Sequence, residues 1–264
     1  MIDTHCHLDA AEFDADRLHV LTAARAAGVS CLIVPGVAVD AFPKQKTIVA
    51  ACPEAFAAYG IHPLYVATAH AQDLDTVRDW IAKENPVAVG EIGLDFYQSN
   101  PDIARQTAFF TTQLKLAREF DLPVILHVRR AVDAVLRELR RYRVRSGIAH
   151  AFNGSRQQAD EFLKLGFKLG FGGAATYSGS LRIRQLAATL PAEAIVLETD
   201  APDIPPSWLN RGRNSPAELP RIASEIAALR GIDLAELLDQ TEQNARMVFG
   251  DFRQRANRAS SAGP

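Results

Sequence analysis

His5 and His7 stand two residues apart in the opening segment Met1-Ile2-Asp3-Thr4-His5-Cys6-His7-Leu8-Asp9. Side chains alternate faces along a strand, so both imidazoles look one way and Cys6 looks the other. Two imidazoles leaving one strand end can share a metal ion, and the cysteine between them cannot join. Later apolar segments each close on a residue of ligand or acid–base type. His62 stands in Gly60-Ile61-His62-Pro63, and Glu91 in Gly90-Glu91-Ile92-Gly93-Leu94-Asp95. His127 follows in Leu126-His127-Val128-Arg129, His150 in Ala149-His150-Ala151-Phe152-Asn153-Gly154, and Asp200 in Leu197-Glu198-Thr199-Asp200-Ala201-Pro202. Taken singly, each has an ordinary explanation as a satisfied core histidine or an ion-paired carboxylate. Jointly, charged and imidazole groups closing otherwise apolar strands have no packing reason to be there.

The donors His5, His7, Glu91, His127, His150 and Asp200 are nitrogen and oxygen without thiolate, which suits Mg²⁺, Mn²⁺ or Zn²⁺. Three or four such donors serve one ion and six serve two, and a carboxylate between histidine sets can bridge. Paired ions about 3.5–4 Å apart clamp the attacking and leaving oxygens of a phosphoryl displacement. Glu91 and Asp200 are the candidate catalytic carboxylates. Asp200 can touch both an ion and a water, and so can orient or deprotonate that water. Arg129, Arg211 and Arg213 could hold phosphate oxygens through the planar guanidinium fork. For Arg211 and Arg213, ordinary solvated loop charge is an equal reading. His62 and Asn153 could add further donors.

These residues need a scaffold that brings several strand ends together. Strands are expected at Met1–His5, Cys31–Val37, Phe56–His62, Val87–Leu94, Val124–Arg129, Gly147–Phe152, Phe167–Gly172 and Ile195–Asp200. Most are continuous apolar runs, as in parallel strands covered on both faces. Helical segments separate them. Leu18, Leu21 and Ala24 line one face before Gly28, and Phe110, Leu114 and Ala117 recur at helical spacing. Leu219, Ile222, Ala223, Ile226 and Leu229 do the same between Pro216 and Gly231, and a last helix runs from Leu234 to Phe249 with Asp233 at its N-cap. Alternating β and α, eight times, predicts a (β/α)8 TIM barrel over residues 1–250, whose C-terminal strand ends share one mouth. A doubly wound open sheet is the alternative, and it would not let all these residues converge. Ala201–Pro216, after the eighth strand, is expected to help build the site. The stretch 251–264 has too little apolar content to pack and is expected to be a disordered tail.

The 264 residues are 48% hydrophobic and 23% charged with net charge −2, which fits one globular domain. A sequence pI of 6.4 gives no global basic footprint and argues against tight non-specific duplex binding. Three cysteines, an odd number, argue against a disulfide framework and for a reducing, cytoplasmic setting. No secretory leader, membrane span or obligate protein partner is evident.

As a set, the quoted segments resemble the TatD family of metal-dependent deoxyribonucleases, within the wider amidohydrolase-like barrels. Gln106, Phe110, Gln113 and Leu114 resemble its fourth helix, and Asn214-Ser215-Pro216 and Asn244…Phe249-Gly250 match as well, so the likeness spans about residues 1–250. The resemblance implies two divalent ions, one held by His5, His7, Glu91 and Asp200 and the other by Glu91, His127 and His150. It implies that His62, Arg129 and Asn153 face a substrate phosphate. Two segments depart from the family pattern. Arg130 follows Arg129 where His-x-Arg-Asp is frequent, and Ala151-Phe152-Asn153-Gly154 stands where Cys-Phe-Ser/Thr-Gly is frequent. The implied activity is 3′–5′ exonuclease hydrolysis of single-stranded DNA, with Asp200 as base toward an activated water. The alternatives are hydrolysis of an aminoacyl-tRNA ester, C–N cleavage as in cyclic amidohydrolases, and a metal-holding scaffold without catalysis. Many amidohydrolases bridge their ions with a carboxylated lysine, and the fourth strand offers Glu91 instead.

Overall fold

A computed structural model describes residues 1–97 and 99–250. The expected tail at 251–264 lies outside the described residues. Eight parallel strands follow one another around a single sheet in sequence order. They are β1 (Ile2–Asp3), β2 (Cys31–Pro35), β3 (Ala55–Tyr59), β4 (Ala88–Asp95), β5 (Val124–Arg129), β6 (Gly147–Ala149), β7 (Phe167–Phe171) and β8 (Ile195–Leu197). Helices α1 (Arg17–Ala26), α2 (Phe42–Ala50), α3 (Asp73–Glu84), α4 (Ile103–Glu119), α5 (Val132–Tyr142), α6 (Arg156–Lys164) and α7 (Leu181–Thr189) connect them, and α8 (Leu219–Arg230) and α9 (Leu234–Phe249) follow β8. The fold is a (β/α)8 barrel, and the doubly wound alternative falls with the strand order.

The seam between β8 and β1 closes through bonds just past the two short strands. Thr4 N–H donates to Leu197 O (3.0 Å), Asp200 N–H to His5 O (2.8 Å) and His7 N–H to Ala201 O (2.8 Å). The buried Asp3 carboxylate accepts both the Thr199 N–H (2.9 Å) and its hydroxyl (2.6 Å). The seam therefore aligns the two segments that carry His5, His7 and Asp200.

Alternation along the strands sorts the core into two clusters. Leu32, Val34, Leu126 and Leu197 pack outward with the helices. Ile2, Ile33, Ala58, Ile125, Ile148 and Val196 form a second cluster from nearly every strand, which places it inside the barrel. Val248 and Phe249 of α9 join that inner cluster and plug the end opposite the mouth. The Asn244 amide fixes α9 by donating to Ala192 O and Ile195 O, each at 2.8 Å.

Several expected details differ. The first, sixth and eighth strands are shorter than the apolar runs that mark them, because the chain turns at the mouth; His5, His150 and Asp200 sit just beyond strand ends. Glu91 does not end β4. It sits mid-strand, where the register against β5 slips between Val89 and Ile92, and such a bulge re-aims a side chain. In α1 the buried face is Val20, Leu21 and Ala24, while Leu18 is 80% exposed. Asp233 occupies the N-cap of α9 without a side-chain capping bond. Gly28 and Gly231 stop α1 and α8 as expected, at φ +86° and +67°, a conformation that costs a side-chain-bearing residue.

Candidate metal centre at the barrel mouth

The Glu91 carboxylate is the middle of the site, and its two oxygens face different partners. Oε2 lies 3.2 Å from His5 Nε2 and 3.5 Å from His7 Nε2. Asp200 Oδ1 completes that side at 3.4 Å from His5 Nε2 and 3.7 Å from His7 Nε2. Oε1 lies 3.0 Å from His127 Nδ1, 3.3 Å from His150 Nε2 and 3.4 Å from His62 Nε2. The six ligand-type residues expected from the sequence are thus together, in two sets sharing one carboxylate. Cys6 is buried in the outer core, facing away as its strand position requires.

Donor atoms in the sets His5–His7–Asp200, His5–Glu91–His150 and His62–Glu91–His127 all lie within 4.8 Å of one another. Hydrogen bonds separate ligand-type nitrogens from donors in the last set. His62 Nδ1 accepts the Leu64 N–H (3.1 Å), so the His62 proton sits on Nε2 and points at Glu91 and the mouth. His62 is therefore a hydrogen-bond donor there rather than a lone-pair ligand. For His127, Asp95 Oδ2 stands 3.0 Å from Nε2 and accepts its N–H, which turns the Nδ1 lone pair inward.

A cation fits this set. His5 Nε2 and His7 Nε2 face each other at 3.2 Å, and at most one proton can lie between them. Among the described residues His5 Nδ1 and His150 Nδ1 are buried without a hydrogen-bond partner, with Glu198 Oε1 3.6 Å from His150 Nδ1. Two buried carboxylates, Glu91 and Asp200, converge on the same space. Such a surplus of lone pairs and negative charge is what divalent ions satisfy.

Without an ion the histidines carry that burden. Burial opposes charging His7, but Glu91 and Asp200 outweigh it and hold the imidazolium up to about 9. His150 is likewise held well above its ordinary value, against burial, by Glu91 and Asp200. His5 goes well below its own, through burial and the charge of His150. Burial pushes Glu91 up, yet the imidazoles of His62, His5 and His150 hold it well below the usual carboxylate range. Burial raises Asp200 to about 6.

Around this centre the mouth encloses about 1420 Å³ and is lined by Arg129 and Asn153, as expected, and by Arg130 and Arg182. Arg213 does not face the cavity. Its guanidinium pairs with Asp16 (2.6 Å) and lies over Phe13, and Arg211 is likewise outside the lining. The sequence reading gave no role to three residues that matter here. Asp95 fixes His127. Glu198 accepts the Ala151 N–H (2.6 Å) and lies 3.6 Å from His150 Nδ1. Arg182 grips the Asn153 carbonyl oxygen at 2.8 and 3.2 Å. Two of them had a signal. Asp95 lies in the segment of Glu91, and Glu198 stands two residues before Asp200. Arg182 had none, since it comes from a helix far along the chain.

A (β/α)8 barrel whose mouth gathers histidines around a shared buried carboxylate defines a metal-dependent hydrolase. The family model for TatD-related DNases matches residues 2–250, and the chain belongs to that family. It is 36% identical to the uncharacterized metal-dependent hydrolase YjjV of Escherichia coli K12, over 94% of this chain and 97% of that one. It is 35% identical to the 3′-5′ ssDNA/RNA exonuclease TatD of a Rahnella strain, over 94% and 98%. The crystal structure of the E. coli YjjV protein superposes with a TM-score of 0.92, covering 95% of this chain and 98% of that one.

Proposed function

We infer that this enzyme is a phosphodiesterase that removes nucleotides from the 3′ end of single-stranded DNA. The observation that supports it most is the division of Glu91, one oxygen toward His5 and His7 and the other toward His127 and His150. That is the donor layout of a two-ion site, with Asp200 on the first side. Two divalent ions, Mg²⁺, Mn²⁺ or Zn²⁺, would be held there and would supply Lewis acidity and acidify water.

The chain's own groups do the rest. Asp200 accepts the proton of the attacking water. A bond forms between that water oxygen and phosphorus, the bond from phosphorus to the 3′-oxygen breaks, and the departing oxygen takes a proton from solvent. His62 donates its Nε2 proton to a phosphate oxygen. Arg129 binds the same phosphate from the end of β5, and Asn153, held by Arg182, offers its amide N–H. His5, Glu91, His150 and Asp200 lie buried at the floor of the mouth, which a strand end reaches more readily than intact duplex. No lysine lines the cavity, which leaves the carboxylated-lysine route of C–N hydrolysis without its residue. Three buried, unpaired cysteines suit a reducing compartment, where we place the enzyme.

The test is hydrolysis of an oligodeoxynucleotide labelled at its 5′ end, with each metal in turn. A ladder shortening from the 3′ end is expected. No cleavage, with turnover of aminoacyl-tRNA or of a simple carboxylic ester, would replace the reading by ester hydrolysis. No turnover of any substrate with metal bound would leave a scaffold.

A further inference from the structure

The mouth carries more positive charge than one scissile phosphate needs, and that charge is on one side. Arg129 and Arg130 leave the end of β5 consecutively, with Arg130 in a left-handed conformation at φ 54°. Both guanidinium carbons lie over one ring, that of Tyr97, at 3.8 and 4.6 Å from its centroid. Tyr97 is itself 51% exposed at the rim. Among the described residues, no carboxylate lies in ion-pair range of either arginine or of Arg182, whose partner is the neutral Asn153. Arg213, by contrast, is taken up by Asp16.

Asp95 feels the charge of Arg129, but two like charges held against one aromatic face, with no carboxylate in ion-pair range, still favour a further anion between them. The acids of the mouth do not supply one. Asp133, the acid nearest along the chain, accepts a bond from Gln158 (2.9 Å). Glu12 and Asp203 line the cavity from the segments after β1 and β8. Over β5 to β7 the rim thus carries Arg129, Arg130 and Arg182 against Asp133, and over β8 to β1 it carries Asp9, Glu12 and Asp203. Its 1420 Å³ also exceeds the roughly 300–1,000 Å³ of a single small-molecule site.

We propose that Arg130, braced on Tyr97, and Arg182 form a second phosphate subsite that holds the backbone of a single polynucleotide strand next to the scissile bond. This rests on the phosphodiesterase reading and deepens it. The strand leaves the centre over the β5–β7 side, where the arginines outnumber the one acid, Asp133, and away from Asp9, Glu12 and Asp203. The arginines take phosphate oxygens and not base edges, so the subsite reads a polyanion of regular spacing without regard to sequence.

The experiment uses the metal-loaded enzyme, fluorescent 12-mers of oligodeoxythymidylate and oligouridylate, and bis(p-nitrophenyl) phosphate, a diester with a single phosphate. Arg130→Ala, and Arg130→Ala with Arg182→Ala, are compared with wild type and with Glu12→Gln, which adds the same unit of charge change on the acidic side with opposite sign. Each lost arginine should weaken strand binding by anisotropy about tenfold or more and lower the slope of log K against log salt by about 0.7. In Arg130→Ala the oligonucleotide-to-small-diester ratio of kcat/KM should fall in parallel, equally for both oligomers, and Glu12→Gln should not lower it; the double variant is read by binding and salt slope alone. Wild-type affinity and salt slope in the double variant would overturn the subsite, as would equal losses on the small diester in Arg130→Ala or a loss confined to one oligomer. Arginine-dependent binding of strands that are never cut would support the subsite and remove the nuclease reading.

Discussion

Asp200 separates chemistry from ion holding. It stands beyond β8, aligned with His5 by the bond from its own N–H to His5 O. Asp200→Asn keeps one ligand oxygen and the shape of the side chain but loses the proton acceptor. Turnover should fall about 10²–10⁴-fold, the usual worth of a placed base, with the His127–His150 side still occupied. Metal content and single-turnover rate are measured together at saturating metal. A fully loaded variant with near-normal rate would take the base role from Asp200. Asp95 acts one step further out. Its carboxylate accepts a hydrogen bond from the Nε2–H of His127, and loss of such an outer partner typically lowers metal affinity or activity 10–100-fold. Asp95→Asn should weaken metal binding by that factor, read by competition with a chromogenic chelator, and Asp95→Glu should recover part of it. Affinity equal to wild type would show that His127 is oriented without it.

At the scale of elements, the ligand-type residues were legible because each interrupts an apolar strand with a group that packing cannot explain. Their supports were harder to read. Glu198 looks like one more polar residue in Glu198-Thr199-Asp200, and only the folded seam shows it under His150. Sequence patterns place Glu91 at a strand end because they carry no sign of a bulge, which arises from pairing with β5. For Arg213 the structure decides between two equal readings in favour of surface charge, through a partner, Asp16, 197 residues away. The support of His150 makes one strand position testable. A Cβ on Gly170 of β7 would lie 2.0 Å from Glu198 Oε2, and the buried Glu198 carboxylate is tied to the Ala151 N–H through Oε1. Gly170→Ala should cost about 1–3 kcal/mol of stability through overpacking, which lowers Tm by some 2–4 °C per kcal/mol in a chain of this size. It should also weaken metal binding on the His150 side. A variant with unchanged Tm and unchanged metal affinity would show that Glu198 moves freely and does not brace His150.

For the whole molecule, the decisive property is that the core and the metal centre are separate. The inner cluster and the helices bury enough apolar surface to hold the barrel without ions, unlike a small zinc domain. Chelation should therefore abolish hydrolysis and lower Tm while far-UV circular dichroism at about 25 °C keeps its helical signal; collapse of that signal would refute the separation. What changes on chelation is protonation. In the metal-free fold Glu91 and Asp200 hold the His7 imidazolium up to about 9, against an ordinary value of 6.5. Near neutral pH His7 then carries a proton that an ion must expel to reach the lone pair. Its raised value stabilises the metal-free fold fully below pH 6.5, and this contribution is lost as pH rises through about 9. The loaded protein, its His7 already deprotonated, has no such loss. Two consequences follow together. Calorimetric titration of metal at about pH 7.5, in buffers of different ionisation enthalpy, should show proton release, lower by about one proton in His7→Ala. The Tm difference between loaded and metal-free protein should widen as pH rises from 6.5 toward 9. Proton release of zero, with a pH-independent Tm gap, would mean that His7 does not hold the ion.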